Sequence, residues 1–317
     1  MGAATYHALD EARWRLGDRI LFYVPARLMA GDDVATLQQR LLDMGFDCGR
    51  VDGLFGVETE HALREFQRNI GVSADGTCGP ATFKALDRLA RTVVGGSPHA
   101  MRESEAIVTA GSTLAGKLII VDPGQGKAAR GVGPGGHDDA VLMYDLASRV
   151  EGRLSAAGAS AFLTRGPDAD PAPTEAERAA FANAAAADLV VSLHVGVADS
   201  PGPNGVATFY YGADRYGHRS AVGERFADLV QREICARTDL LDARSHAVTW
   251  DLLRRTRMPA VRIEVGYLTN PGDAARLSDP AFRDVLAEAI VVAVQRLYLP
   301  PDDDGHTGLM RIPALQF

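Results

Sequence analysis

Apolar residues recur along this chain with two different periods. Between residues 31 and 90 the period is helical. Val34, Leu37, Leu41 and Leu42 share one face, Asp32 or Asp33 stands where a cap belongs, and Gly45 ends the run. Thr59 opens a second helix through Ala62, Leu63 and Phe66, and a third runs through Phe83, Leu86 and Leu89. Between them, Val51-Asp-Gly-Leu-Phe-Gly56 reads as a turn, with glycines for unusual backbone angles and Asp52 for local hydrogen bonds. Asp75-Gly76 and Gly79-Pro80 punctuate in the same way. Three short helices predict a small all-α domain over 31–90. Residues 91–115, with Gly95-Gly96-Ser97-Pro98, carry no helical stripe and read as a linker.

From residue 116 short apolar runs alternate with helical ones. Leu118–Val121, Ala159–Thr164, Leu189–His194, Val206–Tyr211 and Val261–Val265 predict strands. Ala140–Leu154, Thr174–Ala186, 221–235 and 280–298 predict helices, with Thr174 and Glu177 spaced as a capping box. The alternation predicts an α/β domain over 116–299, an open mixed or parallel sheet with helices on both faces. Chemistry in such sheets collects beyond the carboxyl ends of strands. Three ends carry candidates: Asp122-Pro-Gly-Gln125, Ser192-Leu-His194 and Ile263-Glu264. Residues 300–317 open with Pro-Pro-Asp-Asp-Asp-Gly and predict a solvated tail, in which Thr307 is a modifiable position.

A repeat changes the picture at the N-terminus. Gly2–Asp10 and Gly79–Asp87 are identical at six of nine positions, at an offset of 77 residues. The second copy closes a complete domain. The first implies that residues 1–20 are the end of a truncated upstream repeat, its last helix spanning 1–17. No secretory signal is visible in the opening residues. A native extension before Met1 is expected, with space for another copy of the repeat and for a targeting segment; since none of the visible residues encodes export, the location is read as cytoplasmic, with export to the cell wall as the alternative.

Composition mostly excludes. With 317 residues, 46% hydrophobic and 23% charged, the chain is an ordinary globular one of about two domains. A net charge of −8 argues against a nucleic-acid partner. The longest apolar stretches, such as that within 287–294, fall short of the ~20 residues of a membrane span. Cys48, Cys78 and Cys235 are too few for a disulfide framework and read as reduced thiols, a Cys48–Cys78 bridge being the alternative.

Two resemblances follow from the motifs. Asp33-Val34, Leu37-Gln38, Val51–Gly56, Thr59, Phe66-Gln67, Asp75-Gly76 and Gly79–Thr82 resemble the peptidoglycan-binding module of bacterial wall proteins. The resemblance implies peptidoglycan or its precursors as a partner. Gln38, Asp52, Gln67 and Arg68 are the polar candidates for its ligand groove, against the alternative of solvated helix faces.

The second resemblance covers 117–298. Ile119–Gly124, Leu163-Thr-Arg165, Arg178 with Ala182-Asn183, Asp188–His194 and Pro259–Asn270 are similar to the zinc-dependent N-acetylmuramoyl-L-alanine amidases. These cleave the amide between N-acetylmuramic acid and L-alanine. Zinc suits that reaction because it polarises the carbonyl and lowers the pKa of bound water to roughly 7. The family uses two histidines and a glutamate as ligands and a second glutamate as general base.

By that resemblance the ligand positions here are Gln125, Asp139 and His194, and the general base is Glu264. Two of the three ligands are thus substituted. Asp139 keeps a carboxylate that is shorter by one methylene. Gln125 puts a neutral amide where an imidazole stood, and zinc draws on Cys, His, Asp and Glu. His137 is the nearby candidate to replace it, against the alternative of an exposed loop histidine. Glu264, if no longer facing a metal, needs a partner, and Arg262 stands on the same strand face. Two readings follow. The first is an amidase fold with weak or absent zinc that binds muramoyl-peptide precursors or cell-wall synthesis proteins. The second is an active or weakly active zinc amidase.

Overall fold

The structure is a computed structural model and describes residues 14–89, 98–124, 138–169, 172–213 and 218–299. The chain forms two compact units, divided near residue 102. In the first, helices α1 (Asp32–Asp43), α2 (Val57–Asn69) and α3 (Pro80–Leu89) enclose Leu37, Leu41, Leu63, Phe66 and Leu86. Each such side chain contributes about 1.5–3 kcal/mol when fully buried.

Neither Asp32 nor Asp33 caps α1 with its side chain; Gly31 holds the cap position. Asp33, 1% exposed, instead takes two hydrogen bonds from Arg19 (Nε to Oδ2 2.7 Å, Nη2 to Oδ1 3.0 Å). A forked, charge-assisted pair outcompetes a single cap bond.

The two Asp-Gly turns are built alike. Gln38 Nε2 donates to Asp52 Oδ1 (2.7 Å), Leu54 O and Thr59 Oγ1 (both 3.0 Å), and its Oε1 accepts from Gly53 N–H (2.9 Å). Gln67 repeats this with Asp75 Oδ1 (2.8 Å), Thr77 O (3.0 Å), Thr82 Oγ1 (3.1 Å) and Gly76 N–H (2.8 Å). Gly53 and Gly76 lie at φ 69° and 73°, the left-handed region that a side chain disfavours. Each helix therefore braces the turn that launches the next one.

Of the helix expected over 1–17, only 14–17 falls among the described residues. There the chain makes a turn, with Asp18 N–H bonded to Arg15 O at 3.0 Å. Leu16 packs against the core of the helical unit, and Leu21 is buried beside Cys78 through an antiparallel bridge.

Among the described residues the second unit holds seven strands: β1 (Leu118–Asp122), β2 (Ser160–Leu163), β3 (Leu189–Gly196), β4 (Val206–Ala213), β5 (His218–Arg219), β6 (Asp242–Val248) and β7 (Ala260–Tyr267). Their order is β2-β1-β3-β7-β4-β5, with β6 also pairing β4. β1, β2, β3 and β7 run parallel, whereas β4 meets β7 antiparallel, so the sheet is mixed.

Alternation sorts the strand side chains onto two faces. Ile119, Val121, Val191, Leu193, Val261 and Ile263 enter a large core with helices α5 (Asp139–Ala156), α7 (Ala221–Arg237) and α10 (Pro280–Leu297). Ile120, Val190 and Ala260 face a smaller core with Ala182 of α6 (Glu175–Ala184) and Leu253 of α8 (Asp251–Arg255). The capping box at Thr174 and Glu177 forms as its spacing predicts. β5, β6, α8 and α9 (Pro271–Ser278) were not foreseen. They are short or, in β6, alternate without strong apolar character.

The linker reading of 91–115 needs correction, because Pro98–Thr109 forms a helix, α4. Glu103 is 7% exposed and accepts from Ser220 Oγ (2.9 and 3.0 Å) and Val222 N–H (3.3 Å) at the start of α7. Ile107 and Leu114 are buried in the large core. Its anchor is a carboxylate at a helix N-terminus, where the backbone dipole favours negative charge. A search for apolar periodicity passes over such an anchor.

Cys48, Cys78 and Cys235 are free thiols, so the Cys48–Cys78 bridge is not formed. Burial pushes the Cys78 thiol up to about 12 and Cys235 up to about 11, and pushes Cys48 up as well. Among the described residues no helix is long and apolar enough to cross a membrane.

Candidate functional site

Period two explains why the candidate residues meet. Asp122, Ser192, His194, Arg262 and Glu264 stand at or near the carboxyl ends of β1, β3 and β7, on the face of the smaller core. Asp122 pairs with Ser192 across β1–β3, and Ser192 with Arg262 and His194 with Glu264 across β3–β7. Adjacent parallel strands in register thus bring together five residues from three distant segments.

The turn after β1 closes on the imidazole. Gly124 has φ +61°, and a Cβ there would lie 2.5 Å from Leu193 O and 3.0 Å from His194 Cε1. Only glycine permits that approach. Two buried arginines hold the turn. Arg165 donates to Pro123 O (2.9 Å), Ala140 O (3.1 Å) and Gly124 O (3.3 Å). Arg178 donates to Gly124 O (3.4 Å) and Pro173 O (2.9 Å), and its Nε lies 3.2 Å from Asp122 Oδ1.

His194 is 5% exposed, with Nε2 3.0 Å from Ser192 Oγ. Burial pushes its pKa well below the usual imidazole range, and the charges of Arg262, Arg178 and Arg165 push the same way. Its ring is therefore neutral.

Glu264 has the partner its strand position suggests. Arg262 Nη2 donates to Glu264 Oε1 at 2.9 Å, while Nη1 lies 3.5 Å from Glu175 Oε1. The guanidinium sits 4.4 Å over the Trp250 ring. Trp250 in turn packs on Phe209 at 4.7 Å, and Phe209 stacks on His246 at 5.5 Å. This aromatic column fixes where Arg262 points. Glu175, Trp250, Asp251, Arg262 and Glu264 line an open cleft of about 510 Å³.

Asp139 is the first residue of α5, and Asp138 caps that helix through Ala140 N–H at 3.0 Å. Gln125 and His137 lie outside the described residues. Among the described residues no group of three His, Cys, Asp or Glu side chains forms a metal cluster.

In the helical unit Gln38 and Gln67 point inward and brace turns, and Asp52 is bound to Gln38 and to Leu54 N–H (2.8 Å). Their expected place in a groove is corrected: the amides are occupied within the fold. Arg68 is exposed near the end of α2. Ser192, Asp122, Glu175 and Trp250 join the site without a role expected from the sequence. Ser192 and Asp122 were legible in principle, since Ser192 shares a strand face with His194 and Asp122 shares a register position with Ser192. Glu175 and Trp250 come from loop-proximal positions with no periodic signal.

Fold and motifs together define the class. Residues 119–296 match the N-acetylmuramoyl-L-alanine amidase family, and residues 30–86 match the peptidoglycan binding domain family. The chain belongs to the N-acetylmuramoyl-L-alanine amidase family, whose chemistry is generally zinc-dependent. Among individual proteins, it is 49% identical to N-acetylmuramoyl-L-alanine amidase CwlM of Mycobacterium tuberculosis, across 99% of this chain and 78% of that protein. Among solved structures, an N-acetylmuramoyl-L-alanine amidase from Clostridium difficile 630 superposes with a TM-score of 0.53 at 25% identity, covering 61% of this chain and 100% of that one. AmiC2 of Nostoc punctiforme superposes with a TM-score of 0.50 at 28% identity, over 57% of this chain and 96% of that one.

Proposed function

We propose that this protein is a catalytically impaired amidase that acts by binding muramoyl-peptide precursors or cell-wall synthesis proteins, and that it regulates peptidoglycan metabolism from the cytoplasm. The observation that carries the reading is the Arg262–Glu264 ion pair. A general base needs a carboxylate oxygen directed at water. Here Oε1 is directed at a guanidinium held in place by Trp250 and Glu175.

The donor set supports the same reading. One imidazole, His194, remains at the family's ligand positions, and a neutral amide, Gln125, replaces the other. The charges of three arginines act on His194, which opposes a dication there. These residues do not fit the family's zinc centre, and weak or absent zinc is part of the proposal. Retained His194 and Glu264, with the shorter carboxylate of Asp139, support the competing reading of a weakly active zinc amidase.

Zinc content and peptidoglycan release decide between them. The expected result is zinc well below one per chain after dialysis and release equal to that of Glu264→Gln. Gln125→His with Asp139→Glu should raise zinc affinity, and hydrolysis should require Arg262→Leu in addition. Near-stoichiometric zinc in the natural sequence, with release above the Glu264→Gln control, would overturn the proposal in favour of an active amidase.

A further inference from the structure

We infer that the free edge of β2 pairs with β2 of a second copy of this chain, joining two sheets across a two-fold axis at Phe162. The inference does not depend on whether the chain cleaves an amide. β2 ends the strand order, and Ser160–Leu163 register with Leu118–Val121 of β1 without a bulge. Ser160 N–H donates to Lys117 O at 2.8 Å and Thr164 N–H to Val121 O at 3.3 Å. In a parallel ladder alternate residues bond to one neighbour, so the N–H and C=O of Ala161 and Leu163 point outward from the edge. Natural edges are guarded by Lys, Pro, bulges or inward charges. β2 carries none of these.

Two exposed phenylalanines stand at this edge, Phe162 at 52% and Phe181 at 45% exposure. Phe162 pairs in register with Ile120, so it lies on the face of the smaller core. On α6, Asn183 holds Arg255 O (2.8 Å) and Arg257 N–H (2.9 Å), which places α8 on that side of the helix. Phe181 stands about 200° around the helix from Asn183, on the flank toward β2. A second copy matches these features. Antiparallel self-pairing sets Ala161 opposite Leu163 of the second copy, with both backbone bonds exchanged, and the axis repeats the pair. Phe162 then faces its own copy in the closer, non-hydrogen-bonded kind of pair, Cα atoms about 4.5 Å apart. Aromatic pairs are favourable there, and no like charges meet along the strand. On the opposite face, Arg149 and Arg153 of α5 turn to Asp284 of α10 (2.8 and 2.6 Å), which leaves Glu151 on the outer flank. Glu151 approaches its own copy in the dimer, a repulsion that salt screens. A short strand pair is a small interface, below the ~1,200 Å² of stable complexes, so the dimer is a weak one of micromolar affinity.

Sedimentation equilibrium of the full chain from micromolar to millimolar concentration reads the association, and amide hydrogen exchange locates it. A monomer–dimer equilibrium is expected. Exchange at Ala161 and Leu163 should slow as concentration rises, while Ser160, already bonded to β1, keeps its rate. Phe162→Lys, at an exposed position, should weaken association at least tenfold and leave the fold intact by circular dichroism. A chain that stays monomeric at millimolar concentration overturns the inference. So does a dimer whose Ala161 and Leu163 amides exchange at the monomer's rate, a result that needs no variant to fold. A folded Phe162→Lys protein that dimerises as well as the natural sequence does the same. Monomers whose β2 amides are protected by an added extended peptide would assign the edge to a foreign strand instead.

Discussion

His194 couples folding to pH through its surroundings. Burial of the ring, with the charges of Arg262, Arg178 and Arg165, disfavours its charged form in the folded protein, while in the unfolded chain it titrates near about 6.5. Below that pH the unfolded chain binds a proton that the folded one refuses. Stability from this group is therefore complete above about pH 7 and falls as pH drops, by up to about 1.4 kcal/mol per pH unit. The opposite slope would require a raised imidazole pKa. Denaturant unfolding between about pH 5 and 7 should show this loss. The His194→Gln variant should show a flatter profile. If the two profiles are parallel, the burial and charge argument is wrong.

At the scale of elements, the glutamines of the helical unit show how a polar residue becomes structural. Gln38 and Gln67 each join a helix, an Asp-Gly turn and the threonine near the start of the next helix. Gln38→Leu keeps much of the volume but leaves Gly53 N–H and the Asp52 and Thr59 side chains without their shared partner. A loss of about 2–4 kcal/mol is expected from several unsatisfied buried groups. The exposed Arg68→Ala should change stability by no more than about 0.5 kcal/mol. Urea unfolding followed by a probe in residues 31–90 separates the two. Equal effects would return Gln38 to the surface. Helix α4 teaches the same lesson, since its hold on the α/β unit includes a buried carboxylate, Glu103, that no apolar stripe announces.

For the whole molecule, the fold class was legible, a helical domain followed by a mixed α/β sheet, and the site was legible in part. Strands β1 and β3 announce themselves because both faces are buried and their residues are apolar in runs, and β7 does so through apolar residues at every second position. β6 does not, because its pattern alternates between exposed and half-buried positions. The Arg262–Glu264 pair follows from strand period, whereas the Trp250 contact depends on a loop conformation that no spacing encodes. The proposed function, binding precursors rather than cutting the finished wall, places its action where those precursors are made. A reporter fused to the full-length native protein should accordingly stay inside the cell, and efficient export would contradict that location. The free cysteines have a practical consequence. Cys48 and Cys78 are closed inside the helical unit, and Cys235 lies half-buried on α7 of the α/β unit. Alkylation needs an exposed thiolate, and burial withholds both the exposure and the charge. Each unit therefore carries its own chemical clock: the rate at which a thiol is capped under native conditions measures how often the structure around it opens.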